Sequence, residues 1–306
     1  MRSRWWEQLP PVAGSFVMAT GIISVGLHLT GFEVISVLML APAGVVWAFL
    51  AIDFVRRLVW NRTRWETEAE TPAALTAVAA TTVLGTRISL LGWYAPAFVL
   101  LALASVVWPV LLYLVIGHWN RHMPGAAFLV CVSTEGLAVL AGTLAVAGRG
   151  DALVPAALVL ACLGVLLYLA ALSRFDVRQL WSGAGDQWIA AGALAITALA
   201  FSKLTASHYF TGAAHDLLRG ACLVILALNL IVYAVLVVTE VVDPRPADDV
   251  RRWATVFPLG MTAVATLSAG AAAGISWLRP VGSGLLIVAV GAWLLTLVVR
   301  ARRITA

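Results

Sequence analysis

Ten long apolar runs, separated by short polar or glycine- and proline-containing breaks, dominate the sequence. Each run is close to the ~20 residues that a helix needs to cross a hydrocarbon core of about 30 Å. Charged residues make up 11% of the chain, whereas a soluble domain carries about 25%. We therefore predict one all-α transmembrane domain over residues 1–306, with short terminal tails. Its spans are predicted near residues 10–31, 34–56, 72–92, 95–117, 125–147, 152–173, 187–206, 217–241, 253–274 and 279–299.

The arginines support this count of spans. When the loops are assigned alternately to two sides, fifteen arginines fall on one side and only Arg149, Arg219 and Arg279 on the other. Positive residues are enriched in cytoplasmic loops, so both termini are predicted to be cytoplasmic in a multi-pass protein of the cell (plasma or inner) membrane. The excess of basic residues follows this topology and forms no nucleic-acid patch.

The spans group in five pairs, and the two members of a pair differ in polarity. Nineteen serine and threonine residues lie in the leading spans of the pairs, and far fewer lie in the following spans. Polar side chains in a membrane face protein or water, which favours five leading helices inside and five following helices outside. Such an inner ring would enclose a pore. The alternative is that these hydroxyls serve close helix packing.

Four ionisable residues fall inside leading spans. Arg87, Lys203 and His28 lie near the outer ends of their spans, where a ring of basic groups would attract anions. The alternative is that these side chains extend to the interface, with Glu135 as a structural partner. Glu135 lies near the predicted midplane. A permanent negative charge would repel anions there, so we expect Glu135 to be paired or to be protonated, as proton coupling would require.

No other pattern indicates chemistry. His118 and His122 have the i, i+4 spacing of metal ligands, but they flank Arg121 in a predicted loop with no further ligand. Phosphate loops, nucleophile elbows and zinc spacings are absent from the sequence. The sequence therefore predicts no enzyme, no metal and no cofactor, and the expected partners are small inorganic or organic anions and the lipid bilayer.

Several segments resemble a known family. Residues 252–266 read RWATVFPLGMTAVAT, residues 16–24 read FVMATGIIS, residues 83–87 read VLGTR, and residues 186–196 read DQWIAAGALAI. These segments are similar to the tellurite-resistance/dicarboxylate transporter family, which includes bacterial TehA proteins and plant slow-type anion channels. The match extends over nearly the whole chain and looks most like the bacterial branch.

The resemblance implies five helical hairpins in which the odd helices form an inner pore ring and the even helices an outer ring. It also implies a homotrimer with one pore per subunit. Phe257 matches a phenylalanine that plugs the pore, and Pro258 beside it can kink the ninth helix because proline removes a helical hydrogen bond.

The leading hypothesis is transport of small anions through a central five-helix pore gated by Phe257 and Pro258. The predicted pore and anion-binding residues are Arg87, Glu135, Lys203, Thr20, Thr86, Thr134 and Thr262. The family has glutamine in a Thr-Gln-Ser stretch of the fifth helix, where this chain has Thr134-Glu135-Gly136. The alternative hypothesis is therefore a proton-coupled carrier of C4-dicarboxylates or related organic acids, with Glu135 as the proton site.

Overall fold

The computed structural model describes the backbone of residues 13–243 and 252–305, and side chains as far as residue 302. Over these residues the fold is all-helical, as predicted from the sequence, without a β-strand. The α-helices are α1 (Gly14–Leu29), α2 (Glu33–Trp60), α3 (Arg62–Ala69), α4 (Thr76–Leu90), α5 (Tyr94–Gly117), α6 (Leu129–Val146), α7 (Val154–Arg174), α8 (Gln179–Ser182), α9 (Ile189–Ala206), α10 (Gly212–Val242), α11 (Trp253–Ala273) and α12 (Leu278–Thr305).

Nine helical segments of the described chain are long and apolar enough to cross a membrane. The helix of the first predicted span, α1, is equally apolar but has only 16 residues, and the residues before position 13 lie outside the described part. The prediction of a multi-span membrane protein is confirmed. Helix α10 starts five residues before the predicted span, because its polar first turns are helical although they are not hydrophobic.

Burial divides the long helices into two groups. The apolar segments that contain α4, α6, α9 and α11 are 78–94% buried inside the protein, and nearly every residue of α1 is buried as well. The segments that contain α2, α5, α7, α10 and α12 are only 11–28% buried. The hydroxyl-rich leading helices are therefore the interior ones, and the following helices carry the large exposed apolar surface.

The five buried helices pack in a closed cycle, which we call the inner ring. In order, α1 contacts α4, α4 contacts α6, α6 contacts α9, α9 contacts α11, and α11 returns to α1. Each outer helix packs against the inner helix that precedes it in the chain. Glycines allow the inner helices to approach closely. A Cβ on Gly260, for example, would come within 2.8 Å of Ile22 Cγ2 on the neighbouring helix.

Hydrogen bonds tie outer helices to the inner ring at four of the five seams between neighbouring hairpins. In each bond a side chain of an outer helix donates to a threonine of the inner helix in the next hairpin: Trp47 Nε1 to Thr81 Oγ1 (2.8 Å), Trp108 Nε1 to Thr134 Oγ1 (2.9 Å), Asn229 Nδ2 to Thr262 Oγ1 (3.2 Å) and Trp293 Nε1 to Thr20 Oγ1 (2.9 Å). The last bond joins α12 to α1 and closes the cycle. These bonds fix which outer helix lies against which inner pair.

The seam bonds make a prediction for stability. Thr134→Val keeps the side-chain shape but leaves the buried Trp108 N–H without an acceptor. We expect it to lower the free energy of unfolding by about 0.5–1.5 kcal/mol, measured by thermal or SDS denaturation of the purified protein in detergent. Thr205→Val is the matched control, because Thr205 bonds only a carbonyl of its own helix. Equal losses in both variants would contradict the assignment.

Candidate functional site

A small central cavity lies inside the inner ring and is bordered by all five of its helices. Its volume is about 10 Å³, roughly the space that one water molecule requires. Its walls are mostly aliphatic, and two threonine side chains are the polar exception. The lining residues are Ile22, Val25, Thr82, Val83, Thr86, Gly136, Val139, Ile196, Leu199 and Met261. At this level the free space inside the ring is about that of one water molecule.

Phe257 and Pro258 lie on α11 just before the cavity. Phe257 is 1% exposed and precedes the cavity residue Met261 by one helical turn. Its ring packs against α9 at Gly192, where an added Cβ would lie 3.3 Å from Phe257 Cε1 and 2.9 Å from Pro258 Cγ. Helix α11 continues through Pro258, which supplies no N–H to the helical ladder. The structure thus places Phe257 at the N-terminal end of the cavity rather than in its wall.

The four predicted threonines divide into two groups. Thr86 lines the central cavity, while its hydroxyl donates to Thr82 O in the same helix. Thr20, Thr134 and Thr262 instead accept the seam bonds from outer helices. The hydroxyls of these three threonines are therefore directed toward the outer helices.

Arg87 is fully buried and faces α2 rather than the cavity. Its Nε donates to Ser24 Oγ (3.2 Å) and Ser36 Oγ (2.9 Å), and its Nη2 donates to Glu33 Oε1 (2.6 Å). His28 Nδ1 lies 2.5 Å from the other Glu33 oxygen. The positive charge of Arg87 is therefore paired, and its hydrogen bonds connect α1, α2 and α4.

Lys203 differs from Arg87 in both respects. It is partly exposed, although its neighbours along α9 are almost all buried, and it makes no ion pair or hydrogen bond among the described residues. It follows the cavity residues Ile196 and Leu199 by seven and four positions, so it lies on the same face of α9 toward the C-terminal end of the ring. Lys203 is thus an unpaired cation on the stripe that lines the cavity.

Glu135 is fully buried, and its side chain points away from the cavity. The neighbouring residue Gly136 lines the cavity, whereas the Glu135 carboxyl group packs against α7 at Gly164, where an added Cβ would collide with it. This group also lies close to the Thr197 side chain. Neither carboxyl oxygen makes a hydrogen bond of normal geometry within the described chain. Glu135 therefore occupies the fifth seam, between α6, α7 and α9.

This seam lacks the outer-helix donor found at the other four. Thr197 is the threonine of α9 that corresponds to the seam acceptors, and among the described residues no side chain of α7 donates to it. Its hydroxyl donates to Ala193 O, and Cys131 Sγ lies 3.7 Å from its oxygen. At this seam the Glu135 carboxyl group, beside Gly164, occupies the position that an outer-helix donor has at the other four seams.

The polar residues predicted from the sequence include little of the cavity wall, because that wall is mostly aliphatic. Met261, Ile196, Leu199, Val139 and Gly136 line the cavity, but nothing distinguishes them in the sequence from ordinary core residues. A usable signal was present in the helical spacing. Residues three, four and seven positions before Lys203 share its face of the helix, and two of these are cavity residues.

A comparison with protein families identifies the class. The fold is that of a multi-span membrane protein with a closed ring of buried helices around a central cavity. The sequence model of the SLAC1 family, described as voltage-dependent anion channel, matches residues 8–300. The chain therefore belongs to this family. A search of proteins with curated function finds no match.

Family membership confirms the resemblance seen in the motifs, since the tellurite-resistance/dicarboxylate transporter family and the SLAC1 family are the same. It supports a role as an anion channel or transporter in a membrane. The bacterial branch, the identity of the anion, the gate and the oligomeric state remain proposals.

The Arg87 network makes a second prediction. Glu33→Gln removes the negative partner of a guanidinium that is itself fully buried. We expect a loss of about 1–3 kcal/mol in the free energy of unfolding, because the glutamine oxygen can still accept from Arg87 but the buried guanidinium loses its opposite charge. The same denaturation assay measures it.

Glu66→Gln is the matched control, because the Arg62–Glu66 pair is exposed on both sides. Exposed pairs contribute about 0–1 kcal/mol, so this variant should unfold almost like the wild type. If Glu33→Gln lowers the free energy of unfolding no more than Glu66→Gln does, the proposed structural role of the Arg87–Glu33 pair is refuted.

Proposed function

We propose that the axis of the inner ring is a pathway for small anions and that the central cavity is its constriction. One observation carries this proposal: every helix of the ring contributes to one small central cavity in a chain that belongs to an anion-channel family. Its wall is almost entirely aliphatic. Such a constriction excludes ions when it is narrow, because it gives an ion nothing to replace its hydration shell.

The proposed gate is the Phe257 ring together with Met261, one turn further along α11. The fully buried Phe257 ring packs on the backbone of α9 at Gly192, where no side chain lies between the helices. Pro258 weakens the helical ladder next to the ring. A small rearrangement of α11 at Pro258 would therefore move Phe257 and Met261 together and widen the constriction.

The charges of the proposed pathway have unequal roles. Lys203 lies on the cavity-lining face of α9 and has no anionic partner in the described chain, so its charge is available to attract an anion. Arg87 is a second basic group near the same end of the ring, and we propose that it also contributes to the positive potential. Its contribution to the potential is smaller, because Glu33 neutralises it at 2.6 Å.

The gate makes a third prediction. Phe257→Ala removes most of a buried ring at the constriction, and we expect a several-fold rise in anion flux, measured as chloride or nitrate efflux from proteoliposomes or as single-channel current. The control is Phe128→Ala. Phe128 is equally buried, but it packs against Tyr168 and Phe175, away from the cavity. A similar rise in both variants would indicate general loosening and would refute the gate.

A second candidate function is favoured by Glu135. An ionised carboxylate without a partner in a dry interior costs several kcal/mol, so the neutral form fits the observed surroundings of Gly164 and Thr197. A buried acid that gains and loses a proton during transport is what a proton-coupled carrier of C4-dicarboxylates or other organic acids needs. Glu135 lies behind the cavity wall, so it would act through the contacts among α6, α7 and α9.

Glu135→Gln tests this candidate, since glutamine keeps the shape of a protonated glutamic acid but cannot titrate. For the carrier, we expect the variant to abolish succinate or malate uptake driven by a pH gradient and to leave passive chloride flux unchanged. Uptake that shows no pH dependence in the wild type, or that survives in Glu135→Gln, would exclude the proton-coupled mechanism.

The arrangement in the membrane is part of the same proposal. The bias of fifteen arginines against three supports cytoplasmic termini, and in that orientation the C-terminal ends of the inner helices face outward. The family resemblance supports a homotrimer of the bacterial branch. The outer helices supply the apolar surface that such an assembly and the surrounding lipid would cover.

A further inference from the structure

Lys203 is the only lysine in the chain. The other nineteen lysine-or-arginine positions are all arginines. It lies at the C-terminal end of the inner ring, partly exposed, and has no partner in the described chain. Its Cβ is held against α6, since an added Cβ on Gly142 would be 2.8 Å from it. Thus the ammonium group extends from a fixed position at the seam of two inner helices.

Hydroxyl groups share the level of Lys203 on three other inner helices. Lys203 follows the cavity residue Ile196 by seven positions, and Ser89, Thr143 and Ser268 follow the cavity residues Thr82, Gly136 and Met261 by the same interval. Seven residues are nearly two complete turns, so each lies above its cavity residue on the same face, about 10 Å along the helix. The five inner helices are the leading members of their hairpins, so this register places the four residues at about the same level of the ring, which we call the layer.

Two of these hydroxyls have nothing to bond. Ser89 is 3% exposed and Ser268 is 8% exposed, and the Oγ of each is buried without a hydrogen-bond partner in the described chain. Leaving a buried hydroxyl without a hydrogen-bond partner is unfavourable. Thr143 donates to Val139 O in its own helix. The layer therefore has two hydroxyl groups without a partner in the described chain, at about the level of the Lys203 ammonium group.

No acidic group competes for this layer. The C-terminal halves of the five inner helices contain no aspartate or glutamate. Glu33, at the start of α2, is held by Arg87 and His28, and Asp216 of α10 is exposed beside His215. Glu135 lies two turns before Thr143 on α6 and faces Gly164 of α7. Asp151, in the loop that follows α6, is exposed, so none of these carboxylates is buried in the layer.

We infer that Lys203, Ser89 and Ser268, with Thr143 beside them, form a binding site for a small monovalent inorganic anion such as chloride or nitrate at the C-terminal mouth of the pathway. One ammonium group and two hydroxyl donors balance a single negative charge, whereas a dicarboxylate needs a second cation, and Arg87 is already paired. The inference rests on the proposed function in one respect, namely that the ring axis is the route of the anion.

The single lysine permits a direct binding test in the intact protein. Reductive methylation with carbon-13 formaldehyde converts Lys203 to dimethyl-lysine, which stays cationic and gives one NMR signal besides that of the α-amino group. We expect this signal to shift saturably as chloride or nitrate replaces gluconate at constant ionic strength, while the α-amino signal does not. Succinate should bind no more tightly than chloride. A shift that is linear, or shared by both signals, would overturn the site.

Serine variants test the hydroxyls. Hydrogen bonds to charged groups are worth about 1.5–3 kcal/mol each, so Ser89→Ala and Ser268→Ala should each weaken anion binding about tenfold or more in the same titration. Ser202→Ala is the matched control, because Ser202 adjoins Lys203 but donates to Leu199 O of its own helix. Binding that is unchanged in both test variants, or equally weakened in the control, would contradict the assignment.

The two proposals fail in different ways. The titration measures equilibrium binding and needs no conduction. Saturable binding with no anion flux, even in Phe257→Ala, would refute the channel and keep the site. Flux that is the same in wild type, Lys203→Met and Lys203→Arg, without saturable binding, would refute the site and keep the channel. If both stand, Lys203→Met should raise the chloride concentration at half-maximal flux, and Lys203→Arg should restore it in part.

Discussion

The absence of hydrogen-bond partners in hydrocarbon is the constraint on which the rest of this structure depends. A polar group that leaves water in a membrane must find its partner inside the protein. Here four inner-ring threonines accept from an outer-helix indole or amide in the next hairpin. Those bonds direct the threonines outward. The wall around the axis consists mainly of Ile, Val, Leu and Met side chains, with Thr82 and Thr86 among them, and the narrowest part of the ring is largely apolar.

The fifth seam shows what happens when the same constraint is met differently. Helix α7 has Gly164 where the other outer helices provide a donor, and Glu135 of α6 fills the space beside Thr197. A carboxyl group can donate only when it is protonated, and among the five seams this is the one that carries a titratable group in the described part of the chain. Because α6 carries both Glu135 and the cavity residue Gly136, a change at this seam would be transmitted to the constriction by a single helix.

The sequence was sufficient for the class of fold but insufficient for the direction of the side chains. Span length and arginine distribution predicted the multi-span helical chain, and the hydroxyl asymmetry identified the five helices that are buried. The motif around Phe257 indicated the family. The pairing of Arg87 with Glu33 joins residues 54 positions apart, and the seam bond of Thr20 joins residues 273 positions apart. No local pattern encodes such contacts, so the threonines were predicted as pore residues, whereas three of the four bond to outer helices.

The contrast between Arg87 and Lys203 follows from the chemistry of the two cations. A guanidinium has five donors in a fixed plane and suits a buried position between several acceptors, as Arg87 has with Ser24, Ser36 and Glu33. An ammonium group is a compact charge on a flexible stem, and it can follow a ligand that comes and goes. This chain uses arginine at nineteen positions. Its one lysine lies at about the level of two hydroxyls that have no partner in the described chain, so the two cations have different surroundings. Arg87 connects the helices, and Lys203, which has no partner among the described residues, is the cation that we propose for the anion.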